Sequence, residues 1–243
     1  MSPTKSYYDL RDAFAQPGCP FCTLEAEYTN LFIDGLLYEQ VNDPGLRAKI
    51  RQARGFCQKH AQGLVRSGAS LGVAIMMRDV LREVLRAMDK SAFQAPPGLS
   101  LVRLRELVNP RPPLVATAEA VNALSPHTEC PVCAHIGRLE EGWYGALLEN
   151  LLGDDGLIHA YQASDGLCLP HFRGALARAR QEAAFTALVD AQRAIWRKLE
   201  QELNEAIRKS DYRFKDEAWG EEGDAWLRAL AAVSGKCYDR RKR

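Results

Sequence analysis

Two copies of one ligand spacing constrain this chain more than any other feature. Cys19-Pro20-Phe21-Cys22 is answered by Cys57-Gln58-Lys59-His60, and Cys130-Pro131-Val132-Cys133 by Cys168-Leu169-Pro170-His171. Each residue of the second set lies 111 positions after its counterpart, and 35 positions separate both Cys22 from Cys57 and Cys133 from Cys168. Six of the seven cysteines and two of the five histidines therefore fall into two copies of C-P-x-C-x34-C-x2-H. Three thiolates and one imidazole make a complete tetrahedral ligand set for zinc. Two zinc ions per chain are expected, the alternative being an iron–sulfur cluster with one His ligand. Covalent c-type haem is poorly supported, because Thr23 and Ala134 stand where CxxCH requires His.

The spacing also predicts where the ligands sit. Cys-x-x-Cys at the start of one helix and Cys-x-x-His at the start of another place thiolates beside unpaired backbone N–H groups, whose partial positive charge favours them. The 34 residues between suffice for a long helix, a turn and a short return helix. Each copy is thus expected to close its own site, Cys19, Cys22, Cys57 and His60 in one and Cys130, Cys133, Cys168 and His171 in the other. Each metal would clamp the base of a helical hairpin, and four protein ligands leave no open position, so a structural role is expected.

Apolar periodicity fills in an all-α fold. Leu24, Tyr28, Leu31, Phe32, Leu36 and Leu37 give residues 23–41 a helical stripe, stopped by Asn42-Asp43-Pro44-Gly45. A short helix is predicted over Leu46–Arg54, ended by Gly55, and after Gly68 a long amphipathic helix runs through Val73, Met76, Val80, Val84 and Met88. The second copy repeats the plan, with Leu139, Trp143, Leu147 and Leu151 on its first helix and helix from His171 almost to Ser210. Four segments follow: a first unit over 10–95, a Pro-rich connector over 96–128, a second unit over 129–210, and a C-terminal helix with a basic tail over 211–243. Leu101–Val108 and Leu114–Leu124 are candidate short helices within the connector.

Other signals are weaker. Gly68-Ala69-Ser70-Leu71-Gly72 matches a G-x-S-x-G nucleophile pattern, which needs a strand before it; residues 61–66 read as helix instead. The Cys-Pro-x-Cys pairs resemble redox dithiols but lack the βαβ context of that chemistry. His127, His135 and His159 have no counterparts in the first copy and read as surface or packing residues, and Cys237 as a bystander. Trp219, Trp226 and Val233 recur at heptad spacing beside Leu227 and Leu230, on a helix that either docks on the body or meets a partner. Lys plus Arg number 32 and Asp plus Glu 31, so no global field draws the chain to nucleic acid or to an anionic membrane. The terminal Arg240-Arg241-Lys242-Arg243 leaves nucleic-acid contact as a secondary expectation. No window has the run of about 18–20 apolar residues that spans a bilayer, and the first residues lack a signal-peptide core. A cytoplasmic location is the expectation, and there paired Cys and His read as metal ligands more readily than as disulfides.

On the eight ligand-type residues, the chain resembles uncharacterised bacterial helical proteins with tandem CPxC…CxxH units. The resemblance covers the two units, implies Cys3His zinc binding and carries no activity with it. Without a convincing acid, base or nucleophile constellation, the expected function is a non-enzymatic zinc-stabilised scaffold or adaptor with a protein partner. A thiol-redox or iron–sulfur protein, and a regulatory nucleic-acid-binding protein, are the alternatives.

Overall fold

Proline and the residue before it set two of the helix starts. Pro20 and Pro131 occupy first helical positions, where the missing N–H has no intrahelical partner to lose. The carbonyls of Cys19 and Cys130 accept the first intrahelical bonds, from Thr23 at 3.1 Å and Ala134 at 3.0 Å. A computed structural model of the chain describes residues 4–90, 118–153, 156–214 and 216–235. Among them are helices and no strand, as the sequence predicts. The helices are α1 (Lys5–Phe14), α2 (Pro20–Tyr38), α3 (Pro44–Gln52), α4 (Gln58–Gly63), α5 (Ser70–Asp89) and α6 (Ala118–Leu124). They continue as α7 (Pro131–Glu149), α8 (Ile158–Ala163), α9 (Leu169–Arg178), α10 (Glu182–Lys209) and α11 (Ala225–Ser234). Cys237, the basic end and the candidate helix Leu101–Val108 lie outside the described residues.

The chain divides into two compact units, Met1–Thr29 with Ile136–Arg243, and Asn30–His135; α2 and α7 each run from one into the other. The first unit buries Leu10 and Phe14 of α1, Phe21 and Leu24 of α2, Trp143 and Leu147 of α7, Tyr161 of α8 and Leu188 of α10. Its aromatic rings meet edge-on or tilted, Phe21 against Trp143 at 6.0 Å and 87° and Phe14 against Tyr161 at 5.4 Å. Helix α1, which the periodicity reading passed over, belongs to this core. In the second unit Ile33 and Leu36 of α2, Ile50 of α3, Met76 of α5 and Val132 of α7 are buried. Arg47 pairs with Asp79 and ties α3 to α5 there.

Three expectations change in detail. Leu31 is exposed and Ile33 buried, because α2 buries one face in its first half and a different face in its second, so a single stripe does not describe it. Asn42-Asp43-Pro44-Gly45 starts a helix as well as stopping one: the Asp43 side chain accepts from the Leu46 N–H at 2.6 Å, with Pro44 at the first position. The helix expected from His171 to Ser210 breaks at Ala179–Gln181, where Ala179 and Gln181 turn extended. At the C-terminal end, α11 docks through Ala225 and Leu227, whereas Trp219, Trp226, Leu230 and Val233 stay more than half exposed. No described helix is long and apolar enough to cross a membrane.

Candidate metal centres

The x2 spacing works through helix-start geometry. Cys57 and Cys168 cap α4 and α9 with extended backbones, so His60 and His171 fall at the third helical position. Cys19 and Cys130 bear the same relation to Cys22 and Cys133. Side chains at the cap and the third position lie together on the N-terminal turn, as in a capping box. Every half-site therefore presents two ligand-type atoms beside N–H groups that have no intrahelical partner.

The eight residues gather into two groups, Cys19, Cys22, Cys168 and His171 in the first unit, and Cys57, His60, Cys130 and Cys133 in the second. Within each group the ligand atoms all lie within 4.8 Å of one another. The expectation that each sequence copy closes its own site is corrected: each Cys-x-x-Cys meets the Cys-x-x-His of the other copy. Helix lengths are in keeping with the crossing. Helix α2 has 19 residues and is about 28 Å long, whereas α3 has 9 and is about 13 Å long. In the second copy α7 also has 19 residues, and α8 has 6.

Backbone contacts support the same crossing. The Gly18 N–H, just before Cys19, donates to Asp165 Oδ2 at 2.6 Å, just before Cys168. Gly166 holds φ +69°, and a Cβ there would lie 2.8 Å from Gln192 Nε2. Buried Gln192 accepts from the Leu167 N–H at 2.9 Å and from the Tyr161 hydroxyl, fixing the approach to Cys168. In the second unit the His127 N–H donates to the Gln52 carbonyl at 2.9 Å, and Arg54 donates to the Ala123 carbonyl at 2.5 Å. These bonds join the turn before Cys57 to the stretch before Cys130.

In the first centre His171 Nδ1 lies 3.4 Å from Cys19 Sγ, 3.5 Å from Cys22 Sγ and 3.0 Å from Cys168 Sγ, with Cys22 and Cys168 sulfurs 3.8 Å apart. In the second, His60 Nδ1 lies 3.2 Å from Cys57, 3.7 Å from Cys130 and 3.3 Å from Cys133, and the Cys57 and Cys133 sulfurs are 3.7 Å apart. None of these six cysteines is in a disulfide. His171 Nε2 donates to Glu140 Oε1 at 3.0 Å, which leaves Nδ1 to face the sulfurs. Sequence reasoning missed Glu140 and Gln192, for which no local pattern exists.

The crowding of these groups redistributes their protons. Thiol donors from Cys19 and Cys22, and then His171, hold Cys168 far below the ordinary thiol range against the effect of burial. Burial favours a neutral His171, but its bonds to Cys168, Cys19 and Glu140 raise its pKa. Burial pushes the Cys133 thiol up to about 12, with Cys57 and Cys130 beside it adding to the rise. Burial also opposes ionisation of Cys57, yet the His60 N–H and the Cys133 and Cys130 thiols draw its pKa down. A bound cation would displace these protons. Beside the first centre opens a cleft of about 1020 Å³, bordered by Cys19, Cys22, Cys168, Asp165, Ile195 and Lys198.

The remaining candidates stand apart from the centres. Ser70 opens α5 behind helix α4, so the strand that its motif needs does not precede it. His135 stacks on Phe32 at 4.6 Å, while His127 and His159 are exposed.

Fold and site together define a helical protein with two buried Cys/His groups that can hold metal ions. Residues 4–240 match the family of unknown function DUF6062, and the chain belongs to it. An uncharacterized 23.9 kDa protein in the xynA 3' region of Caldicellulosiruptor sp. (strain Rt8B.4) is 41% identical over 69 residues. That match spans 28% of this chain and 34% of that protein. No solved structure matches the chain.

Proposed function

We propose that the protein is a non-enzymatic helical scaffold or adaptor in which two zinc ions, each closed by three cysteines and one histidine, hold the helix starts together. One observation carries the reading. Zinc bonds of about 2.3 Å to sulfur and about 2.0–2.1 Å to nitrogen, set tetrahedrally, separate sulfurs by about 3.8 Å and sulfur from nitrogen by about 3.5 Å. One sulfur pair in each centre lies at 3.8 or 3.7 Å, the sulfur–nitrogen pairs lie between 3.0 and 3.7 Å, and all the ligand-type atoms of a centre lie within 4.8 Å of one another. A single four-coordinate ion fits this spacing. A cluster sets several irons and sulfides between its cysteines and needs them spread wider, which favours zinc over the iron–sulfur alternative. The outward row of Trp219, Trp226, Leu230 and Val233 supports a protein partner.

Elemental analysis of protein purified without added metal tests the assignment. Two zinc ions per chain and a colourless protein are expected. One metal per chain, or predominantly iron with visible absorption, overturns it.

A further inference from the structure

Solvent exposure of the cysteines divides the two centres, although Cys19, Cys22 and Cys168 of the first also border the cleft beside it. In the second, the half-buried cysteines are Cys57 and Cys133, which come from the starts of two different helices and whose sulfurs lie 3.7 Å apart. Their companions Cys130 and His60 are buried. In the first centre only Cys19 is half-buried; Cys22 and Cys168, 3.8 Å apart, are 4% and 0% exposed. The His171 ring there is further held by Glu140 at 3.0 Å.

We infer that the second centre is a thiol-oxidation site, at which a hydroperoxide links Cys57 to Cys133 and expels the metal while the first centre keeps its own. The inference rests on the zinc reading above. The chemistry balances with the peroxide as oxidant. One half-buried thiolate attacks the peroxide O–O bond and, with one proton, gives a sulfenic acid and an alcohol, or water from hydrogen peroxide. The other thiolate attacks that sulfur, and hydroxide leaves and takes up a second proton as water. Two thiolates lose two electrons in all, and the O–O bond gains them. The two sulfurs need to close from 3.7 Å to about 2.05 Å, a movement of side chains already in contact. Cys130 and His60 remain as two ligands of a four-ligand site, too few to retain the ion. The starts of α4 and α7, which zinc had joined, stay joined through sulfur, so the metal clamp is exchanged for a covalent one. A thiol reductant reverses the exchange.

The test uses the full chain, with its metal content measured first. Hydrogen peroxide is added in steps, released zinc is read with a chromogenic chelator, and remaining thiols are alkylated before peptide mapping. Half of the zinc is expected to leave, together with a crosslink between the peptides carrying Cys57 and Cys133. Dithiothreitol should restore zinc uptake in full. Loss of both metals together, loss from the first centre ahead of the second, a Cys130–Cys133 crosslink, or sulfinic acids without a crosslink each overturn the inference. Metal content at the outset separates the two readings. Two zinc ions followed by the wrong chemistry overturn the redox step alone, whereas a second centre that starts without zinc overturns both.

Discussion

Crossed pairing predicts which double substitutions empty one centre and which empty two. Cys22→Ser removes a ligand from the group that contains His171, and Cys57→Ser one from the group that contains Cys133. Each single variant should retain one zinc. Cys22→Ser with His171→Ala should still retain one, because both changes fall in the same group. Cys22→Ser with Cys57→Ser should retain none. Pairing within each sequence copy predicts the reverse, so zinc stoichiometry alone decides. The energetic scale makes the outcome readable. Structural zinc contributes about 10–16 kcal/mol in small peptides, against about 5–15 kcal/mol for the net stability of a domain. A unit that loses its ion should open in hydrogen exchange: in Cys22→Ser over residues 5–29 and 136–234, in Cys57→Ser over residues 30–89 and 118–135. One retained zinc in Cys22→Ser with Cys57→Ser would refute the crossing.

Three further outcomes follow from the surroundings of the centres. Glu140→Ala should weaken zinc binding at the first centre by about 10–100-fold with no change at the second, as read by competition with a chelator. Gly166→Ala forces a Cβ onto φ +69° and into Gln192, and should cost about 1–3 kcal/mol in urea unfolding. The Lys209 ammonium at 2.7 Å, and then the Gly220 N–H, hold the Glu222 carboxyl down from 4.5 to about 2. A depressed carboxylate pKa stabilises the fold above pH 4.5, and that contribution is lost as pH falls toward 2. Tryptophan fluorescence of Glu222→Gln should therefore be flatter than that of the parent chain across this range.

That these eight Cys and His residues gather was legible because thiolate and imidazole chemistry leaves few other uses for C-P-x-C and C-x2-H at a repeated spacing. The all-α fold was legible from apolar period and from Gly55, Gly68 and Gly166, which take positive φ where the chain turns. The pairing was not legible from spacing, since a repeat of 111 positions treats both groupings alike. Unequal helix lengths accompany it, and the long stripe over 23–41 beside the short helix over 46–54 held that much of a signal. Glu140 and Gln192 were out of reach: each acts across tens of residues on a partner that only the fold brings near. The break at Ala179–Gln181 carries no Gly or Pro to announce it.

Crossing also changes what a metal does for folding. The first centre joins Cys22 to Cys168 across 146 positions and the second Cys57 to Cys133 across 76, in place of the 35 of a local hairpin. By loop-closure scaling the longer spans add only about 1 kcal/mol of entropy cost, small beside the binding energy of zinc. The consequence is topological: an ion at either centre would not be fully coordinated until both sequence copies are present. A fragment of residues 1–90 tests this, because it contains Cys19, Cys22, Cys57 and His60, one whole copy of the motif. Its α3 is about 15 Å shorter than α2. The fragment should therefore bind zinc weakly or through a second molecule, with a stoichiometry that depends on protein concentration. Circular dichroism should show little helix at stoichiometric zinc. A monomeric, helical fragment holding one zinc with the affinity of the full chain would mean that each copy can close its own site after all.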